Sequence, residues 1–289
     1  MIWYFKRVVG AGLLSIMVFA SLSVQAGTQC TEKVITTTDL DRAGKMAVKL
    51  QSLARKHDMT AALVGRMGSD LSRYGLRYSH LGILYRKSDD VWMFRHMLNH
   101  CGEATSGLYQ EGIMNFFLDD PIRYEAAIVV PDQSLQKKLR HAVMTDETKS
   151  LFTPDYNMLA NPWNDLYQNS NQWVLEVLAN AMAGHNPARS RRDAQDFLRD
   201  SNYQPSRLRF SLAQRLGAKY FRSNIRFDDH NNADRIIGVL PVVSVKSVFR
   251  YLERHDLVLH KLTISLPDHQ QPLRAPARQL VIDDKSQER

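Results

Sequence analysis

Two apolar, strand-like runs, Tyr78–Arg86 and Val91–Leu98, are joined only by Lys87-Ser88-Asp89-Asp90. A connection so short and polar lets the chain reverse but not cross over, because parallel pairing needs about a dozen residues or more. The two runs must therefore form an antiparallel hairpin. Ala61–Met67 and Tyr124–Val130 read as further strands beside it, and Leu257–Ile264 and Ile236–Val243 as later ones. Helical patterns surround them. Thr38-Asp39 can cap a helix running to about His57, with Leu40, Ala43, Met46, Leu50 and Leu53 on one stripe. Leu108–Leu118 reads as helical, and Asp132 caps a helix to about Met144. Asn169 or Ser170 opens a helix that Gly184 stops, with Val174, Val177, Leu178 and Ala181 on its buried face. Three more are expected near Arg191–Arg199, Ser206–Tyr220 and Ser247–Arg254, and Leu151–Gln168 reads as an irregular but apolar loop. Strands gathered early with helices around them imply an α+β class: a small antiparallel sheet packed with helices. No repeat or low-complexity linker divides residues 27–266, so a single domain is expected there, followed by a disordered polar tail over 267–289.

The N-terminus constrains where the chain works. Lys6 and Arg7 precede the apolar stretch Val8–Ala20, and Val24-Gln25-Ala26 fits a signal-peptidase site. The run is short for a membrane span, so residues 1–26 read as a cleaved signal peptide and the mature protein as periplasmic, with no stable span after processing. The formal charge is +8. In an exported protein that excess suits attraction to an acidic envelope better than nucleic-acid binding, and no nucleic-acid partner is expected. Export also decides how the two cysteines read. Cys30 and Cys101 are the only pair, and an oxidising compartment favours a disulfide between them over Cys101 as a nucleophile.

Three residues stand out as candidate chemistry. His80 lies in Tyr-Ser-His-Leu-Gly-Ile-Leu-Tyr and His96 in Trp-Met-Phe-Arg-His-Met-Leu. A three-residue loop at Lys87–Asp89 would place them directly opposite one another on one face of the hairpin, whereas a two-residue loop would put them on opposite faces. Gly82, without a side chain, would leave room beside His80 for a helix or ligand. Two half-buried strand histidines are the ordinary alternative. Ser170 is either the helix cap or, if Asn169 caps with Gln172 three residues on, the first helical residue. In the second case its hydroxyl sits at the positive end of the helix dipole, where a developing anion is favoured.

The segments GSDLSRYGLRYSHLGILYR, HMLNHCGEATSGLYQEGIMNFFLDDPIRYEAAIVVPD, YNMLANPW and YQNSNQWVLEVLA resemble the bacterial exported family known as domain of unknown function 2145, over roughly residues 30–255. That family implies no established activity. More distantly, the Ser-His-Leu-Gly-Ile strand and the later His96 are similar to the histidine strands of NlpC-type papain-like cell-wall peptidases. In circularly permuted relatives the histidine strand comes first and the nucleophile opens a later helix. This resemblance implies a permuted papain-like architecture with Ser170 as nucleophile, His80 as general base and His96 as orienter. The departure is Ser170, where the pattern calls for cysteine.

Two functions follow as expectations. One is an exported hydrolase of an amide or ester in the cell envelope, with Tyr78, Asn169 and Trp173 contacting substrate. The other is an inactive papain-like module that holds a peptide, glycan or lipid fragment. Neither needs a cofactor, and a monomer is expected. His96-x-x-x-His100-Cys101 is a weak metal pattern on a strand, so no metal is expected. Asp228-Asp229-His230-Asn231-Asn232 reads as a solvated turn, and the arginines from Arg189 to Arg235 as a hydrated face.

Overall fold

The computed structural model describes residues 34–119, 121–184 and 190–267. The expected signal peptide, Cys30 and the tail beyond Pro267 lie outside these described residues. Cys101, in the turn after the hairpin, is not a free cysteine.

The first half of the chain builds the sheet. Helix α1 (Thr37–Lys56) leads into β1 (Ala61–Met67), the hairpin β2 (His80–Ser88) and β3 (Val91–Asn99), then β4 (Ser106–Gly112), α2 (Ile113–Leu118) and β5 (Arg123–Pro131). Helices α3 (Gln133–Met144), α4 (Ser170–Ala183) and α5 (Arg191–Asp200) follow. Next come β6 (Ser206–Arg209), α6 (Leu212–Phe221), α7 (Asn232–Ile237), β7 (Val239–Val242), α8 (Val245–Arg254) and β8 (Val258–Ser265). Six strands form one antiparallel sheet in the order β4-β3-β2-β1-β5-β8, and β6 and β7 form a separate two-stranded ribbon. The α+β class with an antiparallel sheet packed with helices therefore holds. No described helix is long and apolar enough to cross a membrane.

Strand β1 is buried along its whole length because helices cover both sheet faces, which is why it reads as a continuous apolar run. Leu63, Leu81, Ile83, Tyr85 and Val129 pack toward α3, α4, α5 and α8. The alternate positions Val64, Leu84, Phe94 and Ile128 pack toward α1 and α2. Gly82 belongs to this second face. A Cβ there would sit 2.8 Å from Phe116 and 2.9 Å from Phe94, whose rings stack with centroids 3.8 Å apart. The space beside Gly82 is thus filled by α2.

The hairpin register differs from the expected one. Leu84 pairs with Phe94 and Arg86 with Trp92, then a bulge at Lys87 brings Ser88 opposite Val91. The turn itself is only Asp89-Asp90, with Asp90 at φ 58°. Such a turn alone would send His80 and His96 to opposite faces. The extra bulged residue restores parity, so the histidines share a face but stand diagonally instead of directly opposed.

Four element boundaries also move. Thr36, with Asp39 completing a capping box, starts α1, not Thr38. Leu108–Leu118 is not one helix. Its first half pairs with β3 from Asn99↔Ser106 to Met93↔Gly112, and the ladder overrides a helical pattern whose apolar residues also suit a sheet edge. Ser206–Tyr220 likewise splits into β6 and an α6 capped by Ser211 with Gln214. Ile236–Val243 splits where Gly238 adopts φ 75°, closing α7 before β7 begins. A Cβ there would meet the Phe210 carbonyl oxygen at 2.5 Å, so only glycine suits the crossing.

Candidate functional site

Asn169 caps α4: its Oδ1 accepts from the Gln172 N–H at 2.8 Å, leaving Ser170 as the first helical residue. Gln172 does not complete a capping box. Its side-chain amide reaches the Asn161 carbonyl and the Glu176 carboxylate. Residues Ser170–Ala181 are all buried, so α4 is a central helix whose position is set from every side.

Its apolar body packs on the α3/α5/α8 side of the sheet, while His80 and His96 belong to the α1/α2 side. Only the N-terminus of α4 reaches the histidines. The contact forms at the strand's first residue, where the Asn171 side-chain amide donates to the Ser79 carbonyl at 3.2 Å and fixes the helix against the sheet's end. There Ser170 Oγ lies 3.3 Å from His80 Nδ1. His80 Nε2 lies 2.9 Å from His96 Nδ1, and His96 Nε2 lies 3.3 Å from Glu111 Oε2. The sequence expectation brought together the first three groups but missed the fourth. Glu111 was hidden in the supposed helix at Leu108–Leu118. As a β4 residue opposite Phe94, it falls on the face of His96.

Donor and acceptor matching orders the chain. The Glu111 carboxylate only accepts, so His96 donates from Nε2. With one proton on each ring, His96 Nδ1 accepts from His80 Nε2–H, and His80 Nδ1 is left to accept the Ser170 hydroxyl proton. Burial holds His80 well below the ordinary histidine range, with the nearby Arg66 charge and His96 adding to the shift, so the ring stays neutral. Arg66 sits opposite His80 in β1 and is held by the Asp119 carbonyl and carboxylate. The bond from His96 pulls the Glu111 carboxyl below the usual carboxylate range and keeps it ionised. Phe116 packs edge-on against His96, with centroids 5.4 Å apart, and beside His80 at 5.8 Å.

The three expected substrate-contact residues divide. Asn169 is the cap, buried beside Ser170, and its Nδ2 has no hydrogen-bond partner. Tyr78 is half-buried and donates its hydroxyl to Glu125 at 2.7 Å, so Glu125 already takes its polar end. Trp173 is fully enclosed in the core and does not line an open cleft: one turn along a central helix, its ring can only face packing neighbours.

Two buried networks hold the loop before Ser170. Glu176 accepts from Arg191 Nε at 2.9 Å and from Gln168 at 2.6 Å, while Arg191 also donates to the Asp165 and Tyr167 carbonyls. Asp229 accepts from the Asn161 N–H at 2.7 Å and from the Asn157 amide, and His230 Nε2–H donates to the Leu159 carbonyl at 2.7 Å. The Asp228–Asn232 segment is therefore not a wholly solvated turn. Its two central residues are buried because the polar loop at 157–164 needs internal acceptors and donors.

Residues 53–252 match the model of a family described as an uncharacterised protein conserved in bacteria, domain of unknown function 2145. The chain belongs to this family. The match spans α4, both histidine strands and Glu111, so the whole hydrogen-bonded set of this family member lies within it. No curated protein and no solved structure matches the chain.

Proposed function

We propose that this protein is a hydrolase that opens an amide or ester bond, with Ser170 as nucleophile and His80 as general base. The observation that carries this reading is the unbroken hydrogen-bond chain Ser170–His80–His96–Glu111 at the start of a central helix. In the first step Ser170 Oγ attacks the carbonyl carbon while its proton passes to His80 Nδ1. The cationic His80 ring is stabilised through His96 by the Glu111 carboxylate. The carbonyl oxygen, now an anion, takes hydrogen bonds from the Ser170 backbone N–H at the start of α4 and from the unpartnered Asn169 side-chain amide. Collapse expels the amine or alcohol, which takes the proton from His80. Water then attacks the acyl-serine with His80 again as base, releasing the acid and restoring Ser170. The order of elements, with the histidine strands first and the nucleophile helix later, supports a permuted papain-like ancestry. The leader-like segment at 1–26 and the Cys30–Cys101 pair support a periplasmic setting and a substrate drawn from the envelope: a small molecule, peptide or glycan.

One observation favours the second reading, a non-catalytic binding module. Ser170 is 8% and His80 7% exposed, which leaves little of the pair open to solvent. An alkyl fluorophosphonate separates the two, since an activated serine displaces its fluoride whatever the natural substrate. Covalent labelling at Ser170, lost in Ser170→Ala and slowed by about 10²–10⁴-fold in His80→Ala, is the expected result. No adduct, or equal labelling with and without His80, overturns the hydrolase reading and leaves the module.

A further inference from the structure

Far along the chain from this site, the β6–β7 ribbon carries a surface that the proposed chemistry does not use. Residues 206–239 contain seven basic and three acidic side chains, a net +4 against +8 for the entire chain. Half of the excess charge thus falls in about an eighth of the sequence. The same stretch displays bulky aliphatic side chains. Leu212 is 63%, Leu216 48%, Ile236 79% and Ile237 62% exposed.

These residues lie together. Arg209 pairs with Val239 at the end of the ribbon, so the chain leaving β6 into α6 and the chain entering β7 from α7 meet there. The Phe210 N–H donates to the Gly238 carbonyl at 2.8 Å, and the Arg215 side chain donates to the Arg235 carbonyl. Leu212 and Leu216 are one helical turn apart on α6, hence on one side of it. Ile236 and Ile237 end α7 beside them. Arg209 and Arg235 are exposed at the same end, and Arg207, also exposed, is shared with Asp234 at 3.2 Å. A soluble surface rarely gathers exposed aliphatics without a use. Charge alone would serve a soluble polyanion, and aliphatics alone would serve a protein groove.

We infer that this end of the ribbon is a docking surface for an anionic lipid bilayer, with the aliphatic side chains entering the interface and the arginines meeting acidic headgroups. Shallow apolar insertion framed by basic residues is the arrangement that binds such interfaces, and its charge complements phosphatidylglycerol-type lipid. The inference stands apart from the hydrolase reading, because no residue of the Ser170 chain takes part.

The test is co-sedimentation of the protein with vesicles of phosphatidylcholine alone or mixed with phosphatidylglycerol. Any retained Val8–Ala20 stretch would partition into both, so the quantity to read is the difference between the two vesicles. Binding should favour the phosphatidylglycerol vesicles and weaken as salt is raised. Combined replacement of Arg207, Arg209 and Arg235 by Gln should reduce that preference on the order of a hundredfold. Leu212→Ser, Leu216→Ser, Ile236→Ser and Ile237→Ser together should lower binding about tenfold or more. Unchanged circular dichroism in both variants would show that folding is intact, and the conservative Arg209→Lys with Arg235→Lys should retain binding. Equal affinity for the two vesicles, or preference unaffected by either set, overturns the proposal. So does a wild-type dimer that the serine variant converts to monomer, since the aliphatics would then serve a second copy of the chain.

Discussion

The Ser170 hydroxyl has a partner whose own orientation is decided two residues away. His80 can accept the serine proton only if its other nitrogen donates to His96, and His96 Nδ1 is free to accept because the proton on its Nε2 is donated in a hydrogen bond to Glu111. Glu111→Gln should therefore slow fluorophosphonate labelling by about 10–100-fold, the weight of one hydrogen bond to a charged group, while leaving the fold intact. An unchanged rate would remove Glu111 from the chain. Stability should carry a second signature of His80. The unfolded chain takes up this proton near the ordinary value of 6.5, whereas the folded ring resists it. Below about pH 6.5 the unfolded state then binds more protons, so stability falls as pH drops and is kept as pH rises. Urea unfolding between pH 7.5 and 5.5, values chosen to bracket roughly that window, should show a shallower loss in His80→Gln than in the native protein. Parallel slopes would mean that His80 titrates alike in both states.

At the scale of elements, α4 is held by polar contacts as much as by apolar packing. Glu176 is fully buried and Arg191 nearly so, and together they tie α4 to α5 and to the loop that delivers Ser170. Burial raises the Glu176 carboxyl from its usual range even with Arg191 beside it, a sign of how dry the pair is. Glu176→Ala would leave a buried guanidinium without its counter-charge, and should destabilise the protein by roughly 3–5 kcal/mol in denaturant unfolding. A loss below about 1 kcal/mol, the range of an exposed pair, would show that water reaches the site.

For the whole molecule, the expected Cys30–Cys101 bridge has the widest reach. A Cys30–Cys101 bridge would close a loop of about 70 residues and add ~2–4 kcal/mol by restricting the unfolded chain. Exported protein should therefore run as a thiol-free species on alkylation without reductant. Cys30→Ser should lower its thermal midpoint without altering labelling at Ser170. Two alkylatable thiols in that material would refute the bridge.

What the sequence determined by itself was local. The hairpin, β1, β5, β8, the Asp132 and Asn169 caps and the Gly184 stop follow from contiguous apolar runs and turn residues, whose physics acts within a few positions. His80, His96 and Ser170 were legible as candidates for the same reason: each sits at a marked place in its own element. What only the tertiary structure decided were the questions that need two distant segments. Glu111 became visible once β4 paired with β3, because a ladder, not helical periodicity, sets which face its carboxylate occupies. The Lys87 bulge, not loop length alone, set the parity of the two histidines. Trp173 and His230 read as surface or cleft residues until the helices and loops around them closed. Periodicity reports which way a side chain points on its own element, and burial depends on what another part of the chain brings to that side.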